Sequence, residues 1–144
     1  MPAPEGVELR FPEDGGCFGC SPSNATGLQL TFRRAGMRVE SRSSIPDRFH
    51  GAPGVAHGGI VATVLDEVSC AAAVFLLDRY VVTGELTVRY HHPVPVETII
   101  VLEAEVVSQG HQRYAEIEGR VIHDDVVLAR STGKFFYQER PARP

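Results

Sequence analysis

Lysine and basic clusters are nearly absent from this sequence. Lys134 is the only lysine among 14 basic residues, and we interpret this preference for arginine as a sign of a GC-rich bacterial genome. The formal net charge is −4 at pH 7, and no run of basic residues stands out against it. Because binding to nucleic acid requires a basic surface, we expect no nucleic-acid partner.

Targeting signals are also missing. The N-terminal segment from Met1 to Glu5 lacks the basic and apolar regions of a secretory signal. The longest apolar run, from His57 to Leu77, contains Asp66 and Glu67, so we expect no membrane span. Cysteines are few and odd in number, at three, which fits a reducing compartment. These absences predict a cytoplasmic location and no membrane partner.

The length and composition are those of one ordinary globular domain. The chain has 144 residues, of which 43% are hydrophobic and 22% charged, enough for a single core. We divide it into a flexible lead-in at residues 1–16, a single domain at residues 17–138 and a tail at residues 139–144. The lead-in is rich in proline, glycine and acidic residues, and no internal repeat or low-complexity segment divides the domain.

Hydrophobic periodicity predicts two strands, one long helix and four further strands. The apolar spacing is helical from residue 58 to residue 77. The predicted strands span residues 27–34, 37–45, 80–92, 96–108, 111–123 and 126–137. Because only one helix is available to cover so long an antiparallel sheet, the expected fold class is α+β, with about six strands wrapped around a central helix.

Periodicity also assigns faces to the helix and to the strand that follows it. Along the helix, large apolar residues form a wide stripe, and small or polar residues form a second one: Gly59, Ala62, Thr63, Asp66, Ser69, Cys70 and Ala73. Along residues 80–92, strict alternation places Thr83 on one face with Glu85, Thr87 and Arg89. The helix face with small and polar residues is therefore the one that a ligand can approach closely.

The segment from Cys17 to Cys20 contains a C-x-x-C pair, which can open a zinc site or a redox site. No second pair follows at zinc-finger spacing, and the third cysteine, Cys70, lies inside the predicted helix. A redox motif favours a preceding strand and a following helix, whereas Pro22 and Asn24 predict a turn. We therefore interpret the segment as a structural loop, and the chemical role of its two cysteines stays open.

The helix opens on His57-Gly58-Gly59 and carries two adjacent carboxylates, Asp66 and Glu67. Two glycines disfavour a helix, but they leave bare N–H groups at its N-terminus, where the helix dipole favours an oxyanion. Burial of an ionisable group in so apolar a helix costs free energy unless the group is paired or hydrated, so such a group is a candidate for a functional role. An oxyanion donor and a carboxylate on one helix predict acyl transfer; the alternative is that Asp66 is an ordinary structural carboxylate.

The spacing of these groups predicts a dimer. Asp66 follows Gly58 by eight residues, or roughly 12 Å along a helix axis, so one carbonyl cannot contact both groups of the same helix. Two such helices running antiparallel across a two-fold axis would bring Gly58 of one chain opposite Asp66 of the other. The sequence therefore predicts a shared site in at least a homodimer.

The order of elements and the His-Gly-Gly turn resemble the hot-dog fold over roughly residues 17–137. More narrowly, the chain is similar to the acyl-CoA thioesterases of the 4-hydroxybenzoyl-CoA and phenylacetate-pathway (PaaI-like) group. The resemblance rests on residues 53–59 with Asp66 nine residues after His57, on residues 82–90 with the break at Pro93, and on the lead-in from Cys17 to Leu28. The family implies a homodimer with shared active sites, which often pairs again into a tetramer.

The resemblance implies catalytic roles for individual residues. Asp66 corresponds to the general base or nucleophile, with Glu67 as the second choice. Gly58 corresponds to the N–H donor for the oxyanion, with His57 beside the thioester. Thr83 corresponds to the hydroxyl residue that holds the attacking water.

The resemblance also implies a substrate-binding surface, because the CoA nucleotide of the family lies by the turn after the third strand and the loop after the fourth. The candidates for the CoA nucleotide are His91, His92, Gly110, His111, Arg113 and Lys134, and further candidate substrate-binding residues are His50, Gly59 and Glu67. Related enzymes have Asn or Gln a few residues before the His of the turn, near the place where this chain has His50. Ordinary solvated surface groups are the alternative interpretation of the CoA candidates.

The implied function is hydrolysis of acyl-CoA thioesters, which requires no metal and no redox cofactor. The alternative is a hot-dog module that binds acyl-CoA as a ligand or sensor without cleaving it. The combination of Asp66, Gly58 and Thr83 favours the enzyme, because a binding module needs no carboxylate at the carbonyl. The His-Gly-Gly turn argues against a hydratase, and a Cys70–His57 nucleophile pair is disfavoured by a separation of about 20 Å on a straight helix.

Overall fold

The computed structural model describes residues 2–12 and 14–139 and shows, within them, one long helix against one antiparallel sheet. The helix α1 spans Gly58–Leu77 and follows a short 3-10 turn at Asp47–Phe49. The strands are β1 (Glu8–Leu9), β2 (Phe32–Ala35), β3 (Arg38–Ser44), β4 (Tyr80–Tyr90), β5 (Ile99–Ser108), β6 (Tyr114–His123) and β7 (Val126–Gln138). They are hydrogen-bonded in the order β1-β2-β3-β5-β6-β7-β4. The predicted α+β hot-dog architecture is confirmed, with seven strands rather than about six.

The sheet wraps around α1, whose apolar stripe forms the centre of the core. Leu65 and Val68 are fully buried, and the helix contacts every strand from β2 to β7. The predicted polar face is wrong at Ser69 and Ala73, which are also buried. Ser69 packs against the sheet beside Gly119, where an added Cβ would lie 3.2 Å from the serine Oγ. Only small residues fit at this crossing of helix and sheet.

By length and composition alone, α1 could cross a membrane, contrary to the expectation from the sequence. Asp66 and Glu67 lower the hydropathy of this 20-residue helix too little to exclude a span. Half of its apolar window is buried inside the protein. Packing against the sheet therefore accounts for the apolar composition.

A β-bulge in β4 reverses the predicted face of Thr83. Thr83 opposes Phe135 of β7, but regular pairing resumes only at Glu85, so Gly84 is an extra residue. Paired residues point to the same side of a sheet, and Phe135 is buried in the core. Thr83 therefore faces α1 while Glu85 faces outwards, and the grouping of these two residues on one face is wrong. Gly84 is required here because an added Cβ would lie 2.3 Å from the Phe136 ring.

The N-terminal segment is attached to the core. β1 pairs with β2, Leu9 is buried, and the Phe11 ring packs edge-on against Phe32 with 5.6 Å between ring centroids. The prediction of a loose lead-in with little regular structure is therefore wrong around Leu9, because apolar side chains there cover the core. Met1, Glu13 and residues 140–144, which include most of the predicted tail, lie outside the described residues.

The first predicted strand begins at Phe32 rather than at residue 27, and the others agree to within three residues. The reason is that the preceding segment pairs with the loop from Cys17 to Cys20. Leu28 and Leu30 donate their N–H groups to the carbonyls of that loop at 2.8 and 3.0 Å. Between them, Gln29 adopts a left-handed conformation with a φ of 52°. These bonds dock the loop onto the domain beside α1.

Candidate active site

His57 caps the N-terminus of α1 and leaves one backbone donor of the first turn open. Its Nδ1 accepts a hydrogen bond from the Gly59 N–H at 2.9 Å, so the neutral ring carries its proton on Nε2. Tyr90 donates its hydroxyl to the carbonyl of Gly58 at 2.7 Å. Among the described residues the N–H of Gly58 has no hydrogen-bond partner, and Gly58 is exposed. The predicted oxyanion donor is therefore accessible at a helix N-terminus.

Asp66 is held by the hydroxyl of Thr83. Thr83 Oγ1 donates to Asp66 Oδ1 at 2.5 Å, a contact that depends on the bulge because the bulge turns Thr83 towards α1. Burial raises the pKa of Asp66, and the hydrogen bond from Thr83 opposes that rise because it stabilises the ionised carboxylate. Thr83 itself is exposed, so water and a ligand can reach the pair.

Cys70 lies beside this pair, one helical turn beyond Asp66. Its Sγ is 3.8 Å from Thr83 Oγ1, and burial raises the pKa of the thiol. A protonated thiol is a weak nucleophile. His57 caps the N-terminus of α1, thirteen residues before Cys70, so the structure does not bring the two side chains together within one chain.

Glu67 lies beneath the loop from Cys17 to Cys20. Cys17 Sγ donates to Glu67 Oε1 at 3.5 Å, and Cys20 Sγ lies within 4.8 Å of a carboxylate oxygen of Glu67. Burial raises the pKa of Glu67; the Cys17 hydrogen bond opposes the rise, and the charge of Asp66 adds to it. The loop approaches so closely that an added Cβ on Gly19 would lie 2.3 Å from Glu67 Cδ. Glu67, the second choice for the catalytic base, therefore lies against the loop and does not contact Thr83.

Gly58 and Asp66 contact opposite ends of the same strand. Tyr90, at the end of β4, bonds Gly58, whereas Thr83, near its start, bonds Asp66. As the last strand of the sheet, β4 has one edge unpaired by any described residue, and residues 82–85 are exposed. Each chain therefore presents two half-sites along an open strand edge.

The candidate CoA-binding residues fall into two groups at opposite ends of the sheet. His91 and His92 follow β4 and line a cavity of about 280 Å³ together with Tyr90. Residues 110–113 form the turn before β6, at the end of the sheet where β4 begins. Lys134 of β7 lies near that turn. Within one chain the structure does not bring these two groups together.

Contacts to Tyr114 organise the second group. The His111 ring stacks on the Tyr114 ring with 4.0 Å between centroids, and its Nδ1 accepts the N–H of Arg113 at 3.1 Å. Lys134 Nζ lies 5.4 Å from the Tyr114 ring centroid and 3.8 Å from the Glu85 carboxylate. Imidazole, guanidinium and ammonium groups are thus concentrated at one end of the sheet.

His50 belongs to the turn that precedes α1. It is exposed, and its Nδ1 lies 2.6 Å from the Asp47 carbonyl oxygen and 3.9 Å from the Asp47 carboxylate. Its backbone forms an isolated β-bridge with Ala56. His50 therefore lies just before the His57 turn, at the place that the family resemblance indicated.

Two contacts were missed by sequence reasoning. The hydroxyl of Tyr90 positions Gly58, and the only sequence signal was the place of this tyrosine at the end of the strand after the helix. The second contact is that of Glu67 with the loop cysteines, which lie some fifty residues away in the chain. No spacing rule relates residues so far apart.

A family model matches the part of the chain that contains the candidate site. The model of the Thioesterase superfamily matches residues 53–129, which is more than half of the chain. The matched range contains α1, β4, β5, β6 and the start of β7. It therefore includes Gly58, Asp66 and Thr83.

Individual proteins are also similar to this chain in sequence or in structure. Acyl-coenzyme A thioesterase THEM4 of Xenopus laevis is 33% identical over 92 residues, which are 63% of this chain and 40% of that protein, so the chain spans less than half of the length of this relative. A solved thioesterase superfamily protein matches with a TM-score of 0.74 at 26% identity, over 80% of this chain and 60% of its own. A phenylacetic acid degradation-related protein from Ralstonia eutropha JMP134 matches with a TM-score of 0.71 at 20% identity, over 82% and 92%. The last match shows a shared fold.

Proposed function

Because this chain belongs to the thioesterase superfamily, we propose that it hydrolyses acyl-CoA thioesters to a free acid and CoA in the cytoplasm. The observation that carries the proposal is the hydrogen bond from Thr83 to Asp66. It holds a carboxylate beside an open strand edge, where water and a thioester can meet. The name of the relative THEM4, an acyl-coenzyme A thioesterase, supports CoA as the leaving thiol.

In the proposed reaction, the N–H of Gly58 donates to the carbonyl oxygen of the thioester. Negative charge develops on this oxygen in the tetrahedral intermediate, and one such donor contributes about 3–4 kcal/mol. Thr83 positions a water molecule, which Asp66 deprotonates as the water oxygen attacks the carbonyl carbon; the raised pKa of Asp66 makes it a stronger base. Collapse of the intermediate breaks the C–S bond, and the CoA thiolate leaves as a thiol with the proton that Asp66 took from water. His57 lies beside the thioester as the cap of the same turn. We favour this general-base route over direct attack by Asp66, and neither route requires a metal or redox cofactor.

A homodimer completes the site in this proposal. Antiparallel pairing of the exposed β4 edges across a two-fold axis would bring the start of one β4 to the end of the other. Gly58 of the partner subunit would then face Asp66, which the separation of roughly 12 Å prevents within one chain. The same pairing would join His91 and His92 of one subunit to residues 110–113 of the other, where cationic side chains can bind the phosphates of CoA.

The experiment is to measure release of free CoA thiol from short, long and aromatic acyl-CoAs, with the wild type beside Asp66→Ala. We expect hydrolysis by the wild type and a fall in kcat of about 10²–10⁴-fold in the variant. Asp124→Asn is the matched control, because Asp124 lies exposed in the turn between β6 and β7. The panel also identifies the acyl group, and analytical ultracentrifugation distinguishes dimer from tetramer.

Two outcomes would contradict the proposal in different ways. Full activity in Asp66→Ala would show that the assignment of the base is wrong. Tight binding of acyl-CoA without turnover by the wild type would identify a binding or sensor module instead.

A further inference from the structure

We propose that Cys17, Cys20 and Glu67 form a binding site for a divalent metal ion of the zinc type, separate from the hydrolytic pair. One sulfur from each cysteine and one carboxylate oxygen all lie within 4.8 Å of one another. The two thiolates would select a soft or borderline cation such as Zn²⁺. This reverses our sequence interpretation of the C-x-x-C pair as a loop without a metal, because the third ligand comes from α1.

The spacing of one pair of ligand atoms fits zinc. Cys17 Sγ and Glu67 Oε1 are 3.5 Å apart. A tetrahedral zinc ion with a sulfur at ~2.3 Å and an oxygen at ~2.0 Å places those two atoms about 3.5 Å from each other. These two side chains can therefore ligate an ion with little movement, and Cys20 Sγ lies within 4.8 Å of both.

The backbone of the loop prepares the sulfur atoms for this role. The N–H of Gly19 donates to Cys17 Sγ at 3.3 Å, which fixes the position of this sulfur atom. The Ser21 N–H donates to the Cys17 carbonyl at 3.0 Å, which closes a tight turn around the pair. Glycine is required at position 19, because Glu67 fills the space that a Cβ would occupy. The turn thus holds both cysteines over one carboxylate.

Charge gives an independent argument. Glu67 is partly buried, and it forms no ion pair with any residue that the structure describes. Its hydrogen-bond partner among the described residues is the Cys17 thiol, which is a weak donor. A carboxylate removed from water is costly unless it is paired with a cation. A bound divalent ion supplies that cation.

A neighbouring cavity provides a path for the ion and space for a fourth ligand. The cavity has a volume of about 230 Å³ and is lined by Asp14, Cys70 and the three proposed ligands. Asp14 Oδ1 accepts the N–H of Gly16 at 2.9 Å and so is already engaged. We assign the fourth position to water, as in zinc sites with three protein ligands. On binding, both thiols release their protons to solvent.

The ion would fasten the loop to α1 at the residue next to Asp66. Since the Asp66 carboxylate bonds Thr83 and not the loop, we assign the metal a positioning role and no step in hydrolysis. The inference does not depend on the proposed function.

The test is a Co²⁺ titration of the tag-free, reduced, full-length protein under argon. We expect a thiolate-to-cobalt charge-transfer band that saturates at one ion per chain and disappears when Zn²⁺ is added. The double variant with Cys17→Ser and Cys20→Ser should lose the band. Glu67→Gln should keep the fold by circular dichroism and bind Co²⁺ at least about tenfold more weakly.

Matched controls separate this site from its surroundings. Cys70→Ser should keep the band, because Cys70 lines the same cavity but lies outside the cluster. Asp66→Asn should also keep the band, because Asp66 is not a proposed metal ligand. The metal site can therefore be tested whether or not the proposed hydrolysis is found. A reduced wild type without a band overturns the proposal, as does a band that persists in the double cysteine variant or affinity unchanged in Glu67→Gln. A Cys17–Cys20 disulfide whose reduction restores no metal binding overturns it as well.

Discussion

Asp66 and Glu67 are neighbours in the chain but belong to different environments. Burial raises the pKa of both carboxylates. Asp66 is bonded by Thr83 at an open strand edge, whereas Glu67 is covered by the loop from Cys17 to Cys20. Adjacent helix positions differ by about 100° around the axis, so one helix can present two carboxylates to two different partners. The residue that faces an open edge suits chemistry on a substrate, and the covered residue suits an internal ligand.

The largest expected effect is a difference between the two conservative amide variants. Asp66→Asn should lower kcat for acyl-CoA by about 10²–10⁴-fold, because the general base is lost while the shape is kept. Glu67→Gln should lower kcat much less, since its carboxylate does not contact Thr83. Steady-state thiol release measures both. Equal losses in the two variants would remove the distinction between the carboxylates.

A smaller effect should follow from removal of the hydroxyl that bonds Asp66. Thr83→Val should lower kcat by about 10–100-fold, because a hydrogen bond to a charged group contributes about 1.5–3 kcal/mol. Thr83→Ser retains the hydroxyl and should restore most of the rate. If Thr83→Val keeps the wild-type kcat, the hydroxyl of Thr83 has no role in the reaction.

The loop side should respond in stability. Gly19→Ala places a Cβ 2.3 Å from Glu67 Cδ, so the carboxylate or the loop must move. We expect the free energy of unfolding to fall by about 1–3 kcal/mol in urea denaturation. Gly110→Ala is the control, since the nearest atom to its added Cβ is 3.9 Å away. Equal free energies of unfolding for the two variants would mean that the loop does not press on Glu67.

The smallest effect should come from the half-site at Gly58, which lies at the end of β4. Tyr90→Phe removes the hydroxyl that donates to the Gly58 carbonyl, and should lower the free energy of unfolding by about 0.5–1.5 kcal/mol. The Gly58 N–H remains, so kcat should change less than in Thr83→Val. A larger kcat loss in Tyr90→Phe than in Thr83→Val would reverse the ranking of the two ends of β4.

The helix and its bounds were predictable because their causes are local. The apolar period runs without interruption from residue 58, after the His57 cap, to Leu77, where Asp78 adopts a left-handed conformation with a φ of 55°. The bulge at Gly84 was not predictable from alternation, since one extra residue reverses every face assignment on one side of it. The start of β2 was also missed, because hydrogen bonds from a distant loop replaced the expected pairing.

The helix, the glycine at its N-terminus and the place of Asp66 on its face of small and polar residues could be predicted from the sequence alone. These features follow from the helical period and from the chemistry of single residues. The contacts of Asp66 with Thr83 and of Glu67 with Cys17 became visible only in the folded chain. Both contacts join residues that are 17 and 50 positions apart, and they depend on how a strand bulges and how a loop docks. Such placements are set by packing of the whole chain, and no local pattern encodes them.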